Sequence, residues 1–544
     1  MLGRAHRMKI LAFFLAAALV SPIAARAADP HDCGTVIVPA NADITSFSPL
    51  FANALANAQA AQVMYENLIW IDQHAQIDWS RSLVTAITAS HDGTTYDVTL
   101  RPWHWSDGTL VTSADVLYGF KLIKELGTTY PGYGQGGMPD IIKSLTATDA
   151  THFRVVLTHP ANPTWFIYAG LSQLTPLPSH DWSRYNIDQL WQLQTTPSFY
   201  KTIDGPLRLK RFDIGRDAVY VPNPAFDGPK VKFSRFIFTF IEGDGVAVQQ
   251  IEAGNIDVSG LPTEFYSGVQ HIPGVRIEQI APQASYDYLG LNLKNSKVAF
   301  FRDVRVRDAM ADSQDQKKFI QVVLHGLGYE VHGPVTPANL AFEAPQLQRG
   351  DYPTGYDPAK ARALLKAAGF TPGPDGIMQK DGQRLSFVVL TATGSTEGDE
   401  MIEFIQADLR AVGIEMKVHE VEFNQMLAIM NGPADGWEAA DSGMYSNGYP
   451  SGEGLFATGA YLNNGGYSDK TMDQLINDSV NKPGLSALYA YEIYASAQQP
   501  VIFGASPAPV LLVSDRLHGV YDFYDPGGLD PTKLYCTSDG GTES

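Results

Sequence analysis

The residues whose types could do chemistry sit in a few short stretches of this 544-residue chain. Gly132-Tyr-Gly-Gln-Gly-Gly137 has the spacing G-x-G-x-x-G, which lets a backbone approach a dinucleotide pyrophosphate. Such a loop works between a strand and the start of a helix. Here it follows Thr128-Thr-Tyr-Pro131 and opens no helix, so the segment reads as a lip loop. Asp399 and Glu400 are paired carboxylates, but glycoside hydrolysis needs its two acids across a substrate, and adjacency does not place them so. The histidines are scattered without H-E-x-x-H, and no C-x-x-C is present, so no zinc site is spelled out. His104, in Trp103-His-Trp105, reads as a packed or surface imidazole. There is no G-x-S-x-G nucleophile motif. A few ligands would suffice for nickel, which leaves that role open.

The elements that must position any site are legible locally. Tyr96, Val98 and Leu100 alternate with Asp97 and Thr99, the period of a half-buried strand. Asp92-Gly93 and Asp107-Gly108 are turn signals on either side. Thr112, with Asp115 three residues on, is a short capping box for a helix bearing Val116, Phe120 and Ile123. Asp303 is placed to cap a helix whose apolar face includes Val306, Met310 and Phe319. Asp357, Pro358 and Gly369 punctuate another helix at cap, first turn and end. Ile405, Leu409 and Val412 have helical spacing up to Gly413, after which Ile414, Met416 and Val418 alternate as a strand. Helices and strands alternate without a fixed-period repeat, which predicts mixed α/β domains and disfavours solenoids and propellers.

The N-terminus carries Arg4, Arg7 and Lys9, an apolar run from Ile10 to Val20, and Ala25-Arg-Ala27. These are the parts of a cleaved secretory signal, with cleavage predicted after Ala27. The apolar run is too short for a permanent span. Cys33 follows Pro30-His31-Asp32 rather than small apolar residues, so a lipid anchor is not expected and a free periplasmic protein is. Loss of residues 1–27 removes four basic residues and no acid, taking the net charge from −19 to −23. That surface argues against nucleic acid and anionic membrane as partners. Cys33 and Cys536, near opposite ends, are a disulfide candidate in an oxidising compartment; two buried thiols are the alternative. A chain this long exceeds one ordinary core, so at least two domains are expected.

Tyr65-Glu-Asn-Leu68, the stretch from His91 to Arg101, Ser106-Asp-Gly-Thr109 and Thr112-Ser-Ala-Asp-Val116 follow one another in that order. Tyr288-Leu-Gly-Leu-Asn292, Phe301 to Ala309, and Tyr356-Asp-Pro-Ala-Lys-Ala-Arg-Ala-Leu-Leu365 come later. Together they resemble the family 5 solute-binding proteins of bacterial ABC importers, whose members bind dipeptides, oligopeptides and nickel. The resemblance implies a two-lobed α/β fold of the type II periplasmic binding protein class, with an extra subdomain and the ligand cleft between lobes. Lobe I would comprise 28–282 and 506–544, with the subdomain near 60–190, and lobe II would comprise 283–505. The implied function is capture of a peptide or peptide-like solute and its delivery to two permease subunits and their ATPases. No catalysis, no cofactor and a monomer are implied, with a secreted hydrolase as the rival class.

Peptide-binding relatives hold the ligand's amino terminus with an aspartate after a Gly-Trp pair. Asn447 stands at that place, with Asp441 close by. Dipeptide binders place an arginine where Asp399-Glu400 precede the helix from Met401. Both departures weaken charge complementarity to a free dipeptide, and raise an oligosaccharide or opine-like ligand as the rival cargo. The expected contacts are Phe47, Tyr445 and Asn447, followed by Asp441, Trp437 and Asp399. Phe47 enters because Asn41 to Pro49 resembles the family's first loop beneath the cleft.

Overall fold

In the computed structural model, residues 33–537 are described, apart from 41, 242, 263–264, 270, 283–284, 394–395, 446–447 and 526. The segment read as a secretory signal and the site candidate Asn447 lie outside the described residues.

Alternation at residues 96–100 becomes the strand Thr95–Leu100, in which Tyr96, Val98 and Leu100 are buried. It pairs antiparallel with Val84–Ala89 on one side and His152–Leu157 on the other, and Ile142–Ala147 completes a four-stranded sheet. The helix Ser113–Leu126 packs on that sheet through Val116, Phe120 and Ile123. At its start the Thr112 N–H donates to Asp115 Oδ2 at 2.8 Å, closing the predicted cap.

A second four-stranded sheet sets Thr35–Ala40 parallel to Arg235–Phe240, followed by Asp217–Pro222 and Leu207–Asp213. The late strand Val510–Ser514 returns to lie between Val275–Gln279 and Val258–Gly260. The chain ends are fastened there. Cys33 and Cys536 are disulfide-bonded, and the Arg516 guanidinium donates to both Asp257 oxygens and to the carbonyls of Cys33 and Thr35 at 2.7–2.9 Å.

A mixed five-stranded sheet carries the rest, in the order Glu415–Val421, Ser386–Ala392, Ala439–Tyr445, Ser285–Leu291, Ile502–Phe503. Its core contains Leu289, Phe301, Val306, Met310, Val389 and Leu409. Asp303 caps the helix Val304–Ser313, and Asp357 caps Pro358–Ala367 through the N–H groups of Ala359 and Lys360.

One local expectation is corrected. The helix after Asp303 stops at Ser313, and Phe319 belongs to a separate helix, Gln316–Val322, capped by Asp315. Phe319 packs in a small core with Leu324 and Ala505 instead. The alternation after Gly413 becomes the edge strand Glu415–Val421, in which Met416 is buried and Val418 is 38 % exposed. Among the described residues no helix is long and apolar enough to cross a membrane.

Candidate functional site

Three neighbouring cavities share lining residues and form one cleft. Chamber one, of 300 Å³, is lined by Tyr133, Gln135, Tyr286, Met444, Glu453 and Tyr491, among others. Chamber two, of 540 Å³, shares Tyr461 with it and adds Asp287, Tyr288, Met426, Asp441 and Leu462. Chamber three, of 310 Å³, shares Gln135 with the first and adds Asn67, Asp72, Tyr168, Gln173 and Asn339.

Strand pairing explains the sequence of chambers one and two. Ser285–Leu291 runs antiparallel to Ala439–Tyr445, with Tyr286 opposite Met444, Asp287 opposite Gly443 and Tyr288 opposite Ser442. The first of these rungs borders chamber one and the next two border chamber two. The facing wall of chamber one comes from the loop with the G-x-G-x-x-G spacing, which supplies Tyr133, Gly134 and Gln135. Gly136 of that loop lies so close to the next segment that a Cβ would sit 2.2 Å from the Ala169 carbonyl oxygen, so its glycine serves packing rather than phosphate binding.

The cleft is acidic. Burial, reinforced by the neighbouring Asp287 carboxylate, pushes Asp441 up to about 7 against the opposing hydrogen bonds from the Ser442 N–H and Thr391. Burial also pushes Glu453 up to about 7, opposed by the Trp165 indole and the Gly136 N–H. Asp72 adds a carboxylate in chamber three. Among the described residues, those lining the three chambers include no lysine, arginine or histidine. A separate cavity bearing Lys317, His332 and Lys360 shares no described residue with the cleft.

The sequence-predicted residues scatter. Asp441 lines chamber two. Asp399 is exposed on the helix Thr396–Ala411, between Gly398 and Met401, which do line it. Tyr445 ends its strand with its backbone opposite Ser285. Two of the expected contacts are buried away from the chambers. Phe47 has no exposed surface and packs edge-on against Phe212 at 4.8 Å, with Tyr200 and Tyr220 beyond, which makes it a core residue. Trp437 is 4 % exposed in a core with Leu390, Val421 and Met426 and lines none of the chambers. His104 pairs on the surface with Asp227, its Nδ1 2.9 Å from the carboxylate. Among the described residues no group of three or more His, Cys, Asp or Glu is placed to hold a metal ion.

Sequence reasoning missed Glu453, Asp287 and Tyr491. Glu453 carried one signal, an acid between glycines in Ser451-Gly-Glu-Gly454 after a strand. Asp287 carried another, a charged residue inside the run from Tyr286 to Leu291. Tyr491 lies on the helix Ser486–Gln498, whose sequence does not mark it.

Mixed α/β sheets border a cleft of three adjoining chambers, the arrangement of a ligand-binding site. Residues 79–471 match the bacterial extracellular solute-binding proteins, family 5, and the chain belongs to that family. It is 24% identical over 489 residues to the oligopeptide-binding protein AppA of Bacillus subtilis, covering 87% of this chain and 86% of that one. The solved structure of that protein in complex with a nonapeptide superposes with a TM-score of 0.71 at 22% identity, over 94% of this chain and 100% of the other. The ABC transporter substrate-binding protein CtaP of Listeria monocytogenes superposes with a TM-score of 0.78 at 18% identity, over 93% and 100%. The fold is therefore the two-lobed fold of family 5 binding proteins, and the general role is that of an extracellular solute-binding protein.

Proposed function

We propose that this chain is a periplasmic receptor that captures a peptide or peptide-like solute and delivers it to the permease and ATPase subunits of an ABC importer. In this reading residues 1–27 are removed on export, no lipid anchor is attached and the mature protein acts as a monomer. Lobe I is 28–282 with 506–544, carrying the subdomain near 60–190, and lobe II is 283–505. The protein returns its ligand unchanged and needs no cofactor.

The observation that carries this reading is the cleft itself. Its chambers run between the loop around Gln135 and the paired strands at Tyr286 and Met444. Cavities of this size suit a small extended ligand. Binding in such a cleft does work only by favouring one arrangement of the lobes over another. The amides of Gln62, Asn67, Gln173 and Asn339 in chamber three support a second cargo, an oligosaccharide or opine-like conjugate.

The test is thermal unfolding of the mature protein against di- to pentapeptides, oligosaccharides, opines and nickel chelates. A ligand at one hundred times its dissociation constant adds about 2.7 kcal/mol, a readable shift. Peptides raising the melting temperature, and recovered intact, are the expected result. A shift with sugars or opines alone moves the cargo to the second reading. Turnover of a ligand overturns the receptor role.

A further inference from the structure

We propose that the cargo of this cleft is amphipathic, with a hydrocarbon group seated in chamber two and a polar body running through chamber one toward chamber three. This rests on the receptor reading and adds the chemistry of the solute.

The first support is the uncovered apolar wall of chamber two. Phe423, Met426, Leu427 and Met430 fall at i, i+3, i+4 and i+7 of the helix Phe423–Met430, the spacing of one helix face. All four line the chamber, where Met401 joins them from a second helix and Leu462 from a turn. A face of this kind ordinarily closes on the core. Met426 does so, against Leu390 and Trp437, but Phe423 is 53 % exposed and Leu427 38 %. Leu462 and Tyr461 are exposed beside them. Contiguous apolar surface left in water marks a binding surface. Its occupant is the cargo, because Tyr461 also lines chamber one and the two spaces are continuous. At 540 Å³ this is the largest of the three chambers.

The second support is the state of the polar groups in the same wall, which are engaged with one another. The Asn464 amide donates to Asn431 Oδ1 at 3.0 Å, and the Asn431 amide to the Leu427 carbonyl at 2.9 Å. Asp441 accepts from the Ser442 N–H and from Thr391, and the Tyr288 hydroxyl is bonded to the Ser442 side chain. Asp287 stands on the rung next to chamber one. What the wall presents to a solute is therefore chiefly hydrocarbon, with three flexible thioethers that adapt to its shape.

Chamber three is the contrast. Among the described residues, none of the exposed large apolar side chains lines it, and it presents the amides of Gln62, Asn67 and Gln173. It shares no described residue with chamber two, and chamber one adjoins both. A solute reaching through all three meets hydrocarbon at one end and hydrogen-bonding groups at the other. The reverse orientation would bury its polar end against hydrocarbon, which is costly.

The test is isothermal titration of the mature protein with N-acetyl- and N-octanoyl-trialanine, and with trialanine carrying one leucine or one asparagine at each position. Hexyl and methyl glucoside form a third pair, and octanamide supplies the chain without the polar body. The octanoyl peptide, or a leucine peptide at one position or more, is expected to bind about tenfold or more tightly than its partner, because apolar surface leaves water. A gain with the octanoyl group makes the hydrocarbon an acyl chain, and a gain with leucine alone makes it a side chain; either supports the inference. Leu427→Gln and Met430→Gln, at two partly exposed positions, are each expected to narrow the gain several-fold. Val418→Thr, at an exposed apolar residue outside the chamber, is expected to leave it unchanged. Equal binding within both kinds of peptide pair overturns the inference and leaves the peptide receptor standing, as does a gain that survives both glutamine substitutions. Octanamide binding as tightly as the octanoyl peptide overturns the amphipathic cargo. Hexyl glucoside binding that depends on Leu427 and Met430, with every peptide failing, keeps the inference and overturns the peptide cargo. Binding of none of the probes overturns both.

Discussion

Asn162 and Tyr449, separated by 287 residues in sequence, meet in the interior with the Asn162 amide donating to the Tyr449 hydroxyl at 3.1 Å. The same amide donates to the carbonyls of Ser479 at 2.9 Å and Gly484 at 3.0 Å, and the Asn162 backbone N–H donates to Val480 O at 2.8 Å. Asn162 is fully buried. It therefore clasps the loop after the strand His152–Leu157 onto the turn between the helices Lys470–Asn481 and Ser486–Gln498. Asn162→Ala removes the donor to the Gly484 carbonyl and leaves Ser479 O with only the Tyr449 hydroxyl, which donates to it at 3.2 Å. The expected cost is about 1–3 kcal/mol, from the loss of buried hydrogen bonds. Calorimetric unfolding should show a clearly lower melting temperature, and an unchanged one would mean the clasp is not formed in solution.

What was legible in the sequence was what neighbours in sequence decide. The capped helix at Thr112–Asp115, the Asp357-Pro358 start and the alternation at residues 96–100 depend on contacts within a few residues, and each lies where the sequence predicts it. The break at Gln314-Asp315 is not legible, because the apolar spacing through Phe319 continues across it while the chain turns. Phe47 and Trp437 show the limit for the site. Aromatic type says that a ring will be sheltered, not whether a ligand or the core shelters it. Glu453 and Tyr491 are brought together by the packing of a loop against a helix 38 residues further on, which no local pattern encodes.

Gly452 offers a way to disturb the wall of chamber one without changing any charge. It has a φ of +70°, and an added Cβ would lie 1.9 Å from the Tyr491 hydroxyl and 2.9 Å from the Phe456 ring. Gly452→Ala thus meets both backbone strain and a side-chain clash. Ligand affinity is expected to fall about tenfold or more, since a clash of about 1–3 kcal/mol lands on the cavity wall. Titration of the variant with whichever ligand the thermal screen identifies measures this; unchanged affinity would place the ligand outside chamber one.

The bond between Cys33 and Cys536 closes a loop of 503 residues. Crosslinks stabilise chiefly by restricting the unfolded chain, and native ones in secreted domains are typically worth about 2–5 kcal/mol. Reduction, or Cys33→Ser with Cys536→Ser, is expected to lower the melting temperature while leaving ligand affinity unchanged, because the pair lies beside Arg516 and lines none of the three chambers. A large loss of affinity on reduction would show that the fastened ends shape the cleft.

Asp441 is held up to about 7 first by burial and then by Asp287. Asp287→Asn removes only the second cause. The carboxyl resonance of Asp441, followed by NMR against pH, should therefore titrate lower in the variant but still above the ordinary aspartate range. A return to the ordinary range would make Asp287 the main cause, and no movement would mean the two carboxylates do not interact.

Glu492 sets a pH dependence whose sign is fixed by its surroundings. It has no exposed surface, and its Oε2 accepts the Ala344 N–H at 2.7 Å while Oε1 has no partner among the described residues. Burial pushes its carboxyl up to about 9 from an ordinary 4.5, with Glu343 adding to the shift and the Ala344 N–H opposing it. Tyr352, Tyr449, Tyr489 and Tyr491 also feel its charge. Between those two values the unfolded chain releases the proton and the folded chain keeps it. The unfolded state then binds fewer protons, so stability falls as pH rises through this window. Glu492→Gln keeps an acceptor for Ala344 and cannot ionise. The variant is expected to match the wild type near pH 5 and to exceed it near pH 8 by roughly 2–4 kcal/mol, since each pKa unit is worth about 1.4 kcal/mol. Melting curves of both proteins across that range should diverge with rising pH; parallel curves would mean that Glu492 ionises in the fold.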